Sequence, residues 1–371
     1  MPKPEQGTQK VAVVGAGIAG LTAAYQLQKA GCEVTVLEAE ASVGGRMSCR
    51  RVDGFTFNRA ATLLAGRYDF LVALVKELGL EQKLSYGHFK IGTLRNGKVY
   101  DLRTNHILLD SLLSGLLSWK SKLLMPRMLM DAARLRPYLR FDDLSVAAPY
   151  DVETAEAYAL RRLNREINDY VIDPAMAALL VVPSSRPSSI DFMFTLAHYL
   201  GMGAYRVEGG IDFLVNELAR RVPVTTAARV ESVTESDDGV QVSWTSEGTR
   251  HRKHFDAAVV ALSAHAVPRI APQLKPEQAA ILKDYEYSTI MVGHFGLRSP
   301  PDLESDFIQI PIRENQEIAN LLLAHKQGRG MAPAGKGLVV AYGRHEWGEA
   351  RLDWSDERIA ARLASHVEAA P

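Results

Sequence analysis

The sequence predicts an α/β protein: a Rossmann-like dinucleotide-binding domain, three-layered around a parallel sheet, into which an α+β domain is inserted. Three observations predict it. Val11 to Val14 is a short apolar run of the kind that forms a buried parallel strand, and Gly15, Gly17 and Gly20 follow it at the spacing of a phosphate-binding turn. Glu33 to Leu37 reads as a second strand and ends on an acid, Glu38. Past residue 80 the strand and helix rhythm stops, and alternation returns near Tyr205, so distant segments complete the first domain.

Each residue of the turn has a physical task. Gly15 permits the sharp strand-to-helix turn that passes through Ala16. Gly17 leaves no Cβ between backbone and pyrophosphate, and Gly20 lets the following helix pack against the strand. A helix opening at Ile18 and Ala19 points free N–H groups and a positive dipole end at the phosphates, so no side-chain cation is required. Glu38, followed by Ala39, stands where a carboxylate accepts both ribose hydroxyls and disfavours a 2′-phosphate. These residues alone leave NAD and FAD open.

The chain has 371 residues, enough for two lobes, and 43 basic residues balance 43 acidic ones. A net charge of zero argues against a nucleic-acid surface. Met1 to Lys10 lacks an apolar signal core and no run of about 18 apolar residues occurs, so a cytoplasmic protein is expected. The two cysteines, Cys32 and Cys49, are too few for a disulfide framework and are expected to be reduced. No metal-ligand spacing, Ser-His-Asp set or paired-carboxylate site is present. His198, His265 and His294 are read as core or surface imidazoles rather than catalytic groups, and no catalytic residue is assigned.

The run from Glu38 through Gly44, Gly45, Arg46 and Met47 resembles the extended fingerprint of the FAD-dependent amine oxidase superfamily, nearest to its protoporphyrinogen-oxidase-like and phytoene-desaturase-like members. The resemblance implies non-covalent FAD, because the relatives that tether flavin use a cysteine far downstream and none follows Cys49. It implies that Gly44 and Gly45 bring backbone close to the flavin side, and that Arg46, beside Met47, assists near the phosphates. Ala60, Ala61, Thr62 and Leu63 match the stretch that faces the flavin ring, with Ala60 where relatives often have glycine. In relatives the position of Val230 touches the adenine through its backbone, and the loop after the strand ending at Leu262 lies near the cofactor.

The expected organisation is a first FAD-binding segment over 1–80, a mostly helical substrate segment over 81–205, a second FAD-binding segment over 206–266 and a second substrate segment over 267–371. Asp53 to Asn58 reads as a strand. Tyr68 to Leu80 reads as a helix with Phe70, Leu71, Leu74, Val75 and Leu78 on one face. Leu108, Leu109, Leu112, Leu113, Leu116 and Leu117, then Leu123 to Met130, recur at helical spacing. Burial in the lobe is the expected fate of that face and contact with a membrane surface the alternative. A charged helix from Glu153 is expected to stop before Pro174. An Asp237-Asp-Gly239 turn joins two strands, and Phe255 to Leu262 reads as one buried strand. Tyr287 to Leu297 resembles the strand in which true amine oxidases carry a lysine; here Met291 occupies that place. The family's late Gly-Asp motif does not occur, so a missing final FAD-binding segment and weakened FAD binding are expected.

The function implied is removal of a hydride from a C–N or C–C site of a small, apolar or cyclic substrate to flavin N5, with reoxidation by oxygen or another acceptor. Two other readings stay open: a non-catalytic flavoprotein remnant acting as a binding module, and an NAD-linked dehydrogenase. Oligomeric state is not readable.

Overall fold

Residues 8–370 are described by the computed structural model. Strand Lys10–Val14 lies inside a parallel four-stranded sheet, bonded to Glu33–Leu37 on one side and Ala257–Val260 on the other, with Val224–Thr225 beyond Glu33–Leu37. A strand paired on both edges and covered on both faces needs consecutive apolar residues, and Val11 to Val14 are all buried. Val13, Val34 and Val36 pack with Leu21 and Ala24 of helix Ile18–Lys29 and with Leu214 and Leu218 of helix Phe213–Arg221. On the other face Ala12, Val14 and Leu37 meet Val233, Val242 and Phe255 of an antiparallel meander, Ala228–Ser236, Gly239–Ser246 and Thr249–Phe255. Helices, parallel sheet and meander make three layers.

The strand expected over Phe255 to Leu262 divides in two. Phe255 ends the meander, and the parallel strand starts at Ala257 because the N–H of Lys10 donates to the Asp256 carboxylate (2.5 Å) while the N–H of Asp256 donates to the Lys10 carbonyl (2.9 Å). The expected Asp53 to Asn58 strand begins only at Phe55. Asp53 and Gly54 have left-handed φ values of 50° and 80° and turn the chain between Cys49–Val52 and Phe55–Asn58. The next helix is shorter than expected, Asp69–Glu77, with Val75 and Leu78 in the core. Phe70, in its first turn, is 96% exposed rather than on the inner face, since no element among the described residues covers its ring.

A second sheet runs in the order Val292–Leu297, Gly337–Gly343, Ile318–Leu323, Phe307–Gln309, Lys90–Arg95, Lys98–Arg103. One face, through Ile308, Leu321, Val339 and Ala341, packs on Trp347 and on Leu363 of helix Asp356–Glu368. The other face, through Phe307, Leu322, Val340 and Tyr342, packs on Phe55 and Phe57. The strands at 90–103 correct the helical reading of that stretch. Asn96 and Gly97 turn between them with φ values of 51° and 75°, which is the hairpin chemistry an Asn-Gly pair supplies.

Helices Trp119–Leu135, Ala155–Arg162 and Ser189–Tyr199 enclose a core that includes Met128, Ala155, Tyr158, Ile190 and Met193. The helix expected from Glu153 to Asp173 breaks after Arg162. Asn164 then caps Arg165–Ile167, and a π-helical turn Asn168–Ile172 leads into Asp173–Leu179. Pro174 opens that last helix instead of ending the previous one, as proline does in a first turn where its missing N–H costs nothing.

The leucine-rich stretch splits. Leu116, Leu117, Met125 and Met128 are buried, but Leu108, Leu109, Leu112, Leu113, Leu123 and Met130 are exposed, which overturns the burial expected for those six. Helix Ile107–Leu113 rests on strand Lys98–Arg103 by one side, while Leu108, Leu109, Leu112 and Leu113 are exposed. Among the described residues no helix is long and apolar enough to cross a membrane.

Gly20 is the tightest point of the first domain. A Cβ there would lie 1.9 Å from the Gly15 carbonyl oxygen, a backbone atom that cannot give way. Gly20→Ala is therefore expected to destabilise the protein by about 1–3 kcal/mol, read as a lower midpoint in urea unfolding.

Candidate dinucleotide site

Gly15 takes φ +99°, and a side chain there would also meet the Ala261 carbonyl oxygen at 2.8 Å. The turn is pinned to both neighbouring strands: the Gly15 N–H donates to the Leu37 carbonyl (2.8 Å) and the Ala261 N–H to the Val14 carbonyl (2.9 Å). Helix Ile18–Lys29 follows with Gly17 at its N-cap and no side-chain cap, so the first-turn N–H groups of Ile18 and Ala19 remain for a ligand. A Cβ on Gly17 would meet nothing within 4 Å, and Ala19 is exposed. The turn thus presents bare amides to open space.

Glu38 closes the turn from the next strand. Its carboxylate accepts the Ala16 N–H (2.7 Å) and the Glu40 N–H (2.9 Å), and the remaining lone pairs suffice for ribose hydroxyls. The Ala228 N–H donates to the Glu38 carbonyl (2.7 Å), and that of Ala227 to the Glu40 carbonyl (2.9 Å). These bonds bring the strand bearing Val230 to the acid and to half-buried Ala39. Leu262 lies over Gly15, its Cδ2 3.0 Å from where a Cβ would stand.

Gly44 joins the same turn. At φ +107° its N–H donates to the Ala16 carbonyl (2.8 Å), it bridges to Gly17, and the Cβ position of Gly45 lies 3.7 Å from the Gly17 Cα. Arg46 is exposed and its guanidinium makes no hydrogen bond among the described residues. The N–H groups of Arg59 and Ala61 donate to the carbonyls of Ser48 and Arg46 (both 3.0 Å), so the strip 59–63 runs beside the glycine pair. Ala60 and Leu63 are exposed, Ala61 and Thr62 half-buried. Of the residues singled out in the sequence, Gly15, Ala16, Gly20, Gly44 and Met47 are buried, and Gly20 and Met47 shape the cradle from behind.

A second wall was not legible in the sequence. Tyr342, Asn320, Gln309 and Thr93 form a cross-strand polar row on the face of the second sheet that carries Phe57's packing partners. Among the described residues the buried Asn320 Oδ1 and the buried Tyr342 hydroxyl have no hydrogen-bond partner, and Thr62 stands beside the hydroxyl. Burial pushes the Tyr342 phenol up to about 12. Buried polar atoms are nearly always satisfied, so two orphans in one row mark a surface waiting for a partner. The one sequence signal was a lone asparagine inside the apolar strand Ile318–Leu323.

His294 sits on the same face. Its Nε2 donates to the Asn58 carbonyl (3.1 Å) and its ring meets Phe57 edge-on, while burial pushes its pKa below the usual value. His198 is structural, bonded to the Leu139 carbonyl (2.6 Å) between Phe141 and Phe194, and His265 is exposed beside Tyr287. Met291 stands just before its strand, not within one running from Tyr287, and packs on the helix side of the sheet; Val292 is on the face packed against Phe55 and Phe57. A cleft of about 540 Å³ among the helices, lined by Asp131, Tyr158 and Arg162, shares no residue with the cradle.

Two outcomes follow from this geometry. Gly17→Ala should leave the stability of the ligand-free protein within about 0.5 kcal/mol of wild type, yet raise the Kd for FAD at least about tenfold in a fluorescence-quenching titration. For His294, protonation favours the unfolded chain. Its contribution to stability is whole above its ordinary pKa of 6.5 and is lost as pH falls from there toward the lower folded value, by at most about 1.4 kcal/mol per pH unit. Urea unfolding of His294→Gln across that window should show a shallower decline than wild type.

The profile of the family described as flavin containing amine oxidoreductase matches residues 18–370. Mitochondrial protoporphyrinogen oxidase of Nicotiana tabacum is 33% identical over 171 residues, 46% of this chain and 32% of that one. The L-amino acid oxidase bordonein-L of Crotalus durissus terrificus is 25% identical over 366 residues, 90% of this chain and 66% of that one. The chain thus matches about a third of the length of the plant protoporphyrinogen oxidase. Among solved structures, putrescine oxidase bound to putrescine superposes with a TM-score of 0.76 at 19% identity, covering 98% of this chain and 81% of that one. Cyclohexylamine oxidase from Brevibacterium oxydans gives 0.68 at 17% identity, covering 98% and 81%. With the bare glycine turn, Glu38 and the glycine pair in one cradle, the chain belongs to the flavin-containing amine oxidoreductase family, whose cofactor is FAD.

Proposed function

We propose that the protein is an FAD-dependent oxidoreductase that takes a hydride from a C–N or C–C bond of a small, largely apolar or cyclic substrate and passes the electrons to oxygen or another acceptor. The observation that carries this reading is the opposition of two walls: the strip Ala60 to Leu63 beside the glycine pair, and the sheet face bearing Tyr342 and Asn320. The residues present fit FAD. Free amides at Ile18 and Ala19 suit the pyrophosphate, Glu38 the ribose, and the exposed Arg46 guanidinium a phosphate or the ring's polar edge.

Bound FAD supplies the hydride-accepting chemistry. The chain's own part is positional. Phe57 and Val292 form apolar walls that exclude water, while the Tyr342 hydroxyl and the Asn320 amide offer one donor or acceptor each to a polar substituent. His294, held neutral by burial, keeps its Nε2 proton on the Asn58 carbonyl and fixes the chain leading into the strip. The absence of a lysine at Met291 or Val292 supports a substrate outside the simple amines, on the side of the protoporphyrinogen oxidases and desaturases.

The test is anaerobic mixing of the FAD-loaded protein with a panel spanning cyclohexylamine, putrescine, L-leucine and a reduced tetrapyrrole. One member is expected to bleach the oxidised-flavin absorbance; a protein that takes up NAD and no FAD overturns the reading. For that substrate, Asn320→Leu and Tyr342→Phe should raise KM about tenfold, as loss of one hydrogen bond of about 1.4 kcal/mol requires. The same variants should melt no lower than wild type, because each removes an unsatisfied buried atom.

A further inference from the structure

The cleft among the helices has a volume of about 540 Å³ and takes its lining from helices Trp119–Leu135, Ala155–Arg162 and Ser189–Tyr199. Its charged groups are fixed in place. Arg162 engages the Asp131 carboxylate through Nε (2.9 Å) and Nη2 (3.1 Å), and the hydroxyl of buried Tyr158 donates to the same carboxylate (2.9 Å). Arg161 engages Glu153 in the same two-pronged way, with Nε at 3.0 Å. The Arg162 guanidinium holds the Asp131 carboxyl below the usual carboxylate range, so that acid is ionised at neutral pH.

Stapling of the lobe explains these two pairs, but it leaves Arg134 over. Its Nη1 stands 3.9 Å from Asp131 Oδ1, too far for a hydrogen bond, and its side chain is 69% exposed. Three guanidiniums against two carboxylates leave one positive charge in excess around the cleft. Every oxygen of the two acids already accepts a guanidinium N–H, so the open valences are donors: those of Arg134, and Nη1 of Arg161 and Arg162. The remaining lining is largely apolar. Leu135, Pro149, Val152 and Met193 contribute to it, and the rings of Tyr138 and Tyr150 stand 4.7 Å apart, tilted by 48°. A phosphate dianion would leave a charge unmatched, and a neutral ring would leave the donors unmet. A carboxylate on a compact apolar body answers both conditions, because a guanidinium meets its two oxygens with parallel N–H bonds while the body covers apolar lining.

We propose that this cleft binds a small carboxylic acid as its monoanion, with the carboxylate on Arg134 and an apolar or aromatic body against Val152 and the Tyr138 and Tyr150 rings. The cleft shares no residue with the dinucleotide cradle or with the row through Tyr342 and Asn320, so it is a second site and needs no flavin.

The experiment is isothermal titration of the whole purified chain, with and without FAD, using naphthoate as the probe and its neutral amide and acetate as comparisons. Naphthoate is expected to bind with a Kd of about 1 mM or lower, and the amide and acetate at least about tenfold more weakly. Arg134→Gln should raise the naphthoate Kd at least about tenfold, the loss of a charged hydrogen-bonding partner. Val152→Asp, which sets a like charge beside the carboxylate, should weaken binding by a similar factor. Both side chains are largely exposed, so the melting temperature serves as a control that the variants fold. Asn320→Leu, on the sheet, should leave the Kd unchanged. No binding of naphthoate overturns the proposal, as does binding that either cleft variant leaves intact or that the amide matches. Binding that FAD or Asn320→Leu removes overturns it too, by assigning the ligand to the flavin side.

Discussion

Everything at the cofactor end depends on a steric constraint: between Gly15 and Gly20 there is no room for a single carbon atom. The helix can leave the strand end only if its third residue lacks a side chain, and only then do its first amides lie over the end of the sheet. The acid at Glu38 reaches Ala16 because that turn is tight, and Gly44 reaches Ala16 and Gly17 for the same reason. The strand bearing Val230, the glycine turn and the strip 59–63 therefore all depend on one close approach.

The second lobe is organised differently, by a sheet with two unlike faces. Its helix side is uniformly apolar, through Ile308, Leu321, Val339 and Leu363. Its other side changes character along the rows: Leu322 and Val340 pack on Phe55 and Phe57, whereas the row through Tyr342 and Asn320 leaves polar atoms unsatisfied. A fold that stores unsatisfied polarity in a rigid sheet sacrifices stability for a pre-shaped surface, a trade seen where binding rather than packing dictates the residue.

The first lobe was legible in the sequence because its signals are local. Three glycines, an apolar strand and an acid sit within Val11 to Glu38, and each acts on backbone within a few ångströms. The Asn96-Gly97 hairpin was equally local, yet the helical patterns around it obscured it. Other features were not local at all. Pro174 reads as a stop until the π turn before it shows that it opens a helix, and Phe255 joins the meander only because Asp256 bonds to Lys10. The pairing of Tyr342 with Asn320 is a fact of register, which no strand specifies alone. Leu113 and Leu116 share one periodicity but opposite fates, since periodicity says which residues align and not what covers them.

The bond between Lys10 and Asp256 spans 246 residues of sequence. The first strand leaves the ribosome early, but its second neighbour, and with it the Ala261 and Leu262 wall behind Gly15, is made only after the entire helical lobe. Closing so long a loop carries an entropic cost that must be met before the sheet gains anything from it. During synthesis the nascent chain thus carries a recognisable phosphate turn with one side unbuilt. Its helical lobe, a core of largely local contacts, has the opportunity to form first, and cofactor capture becomes one of the last events in the life of the folding chain.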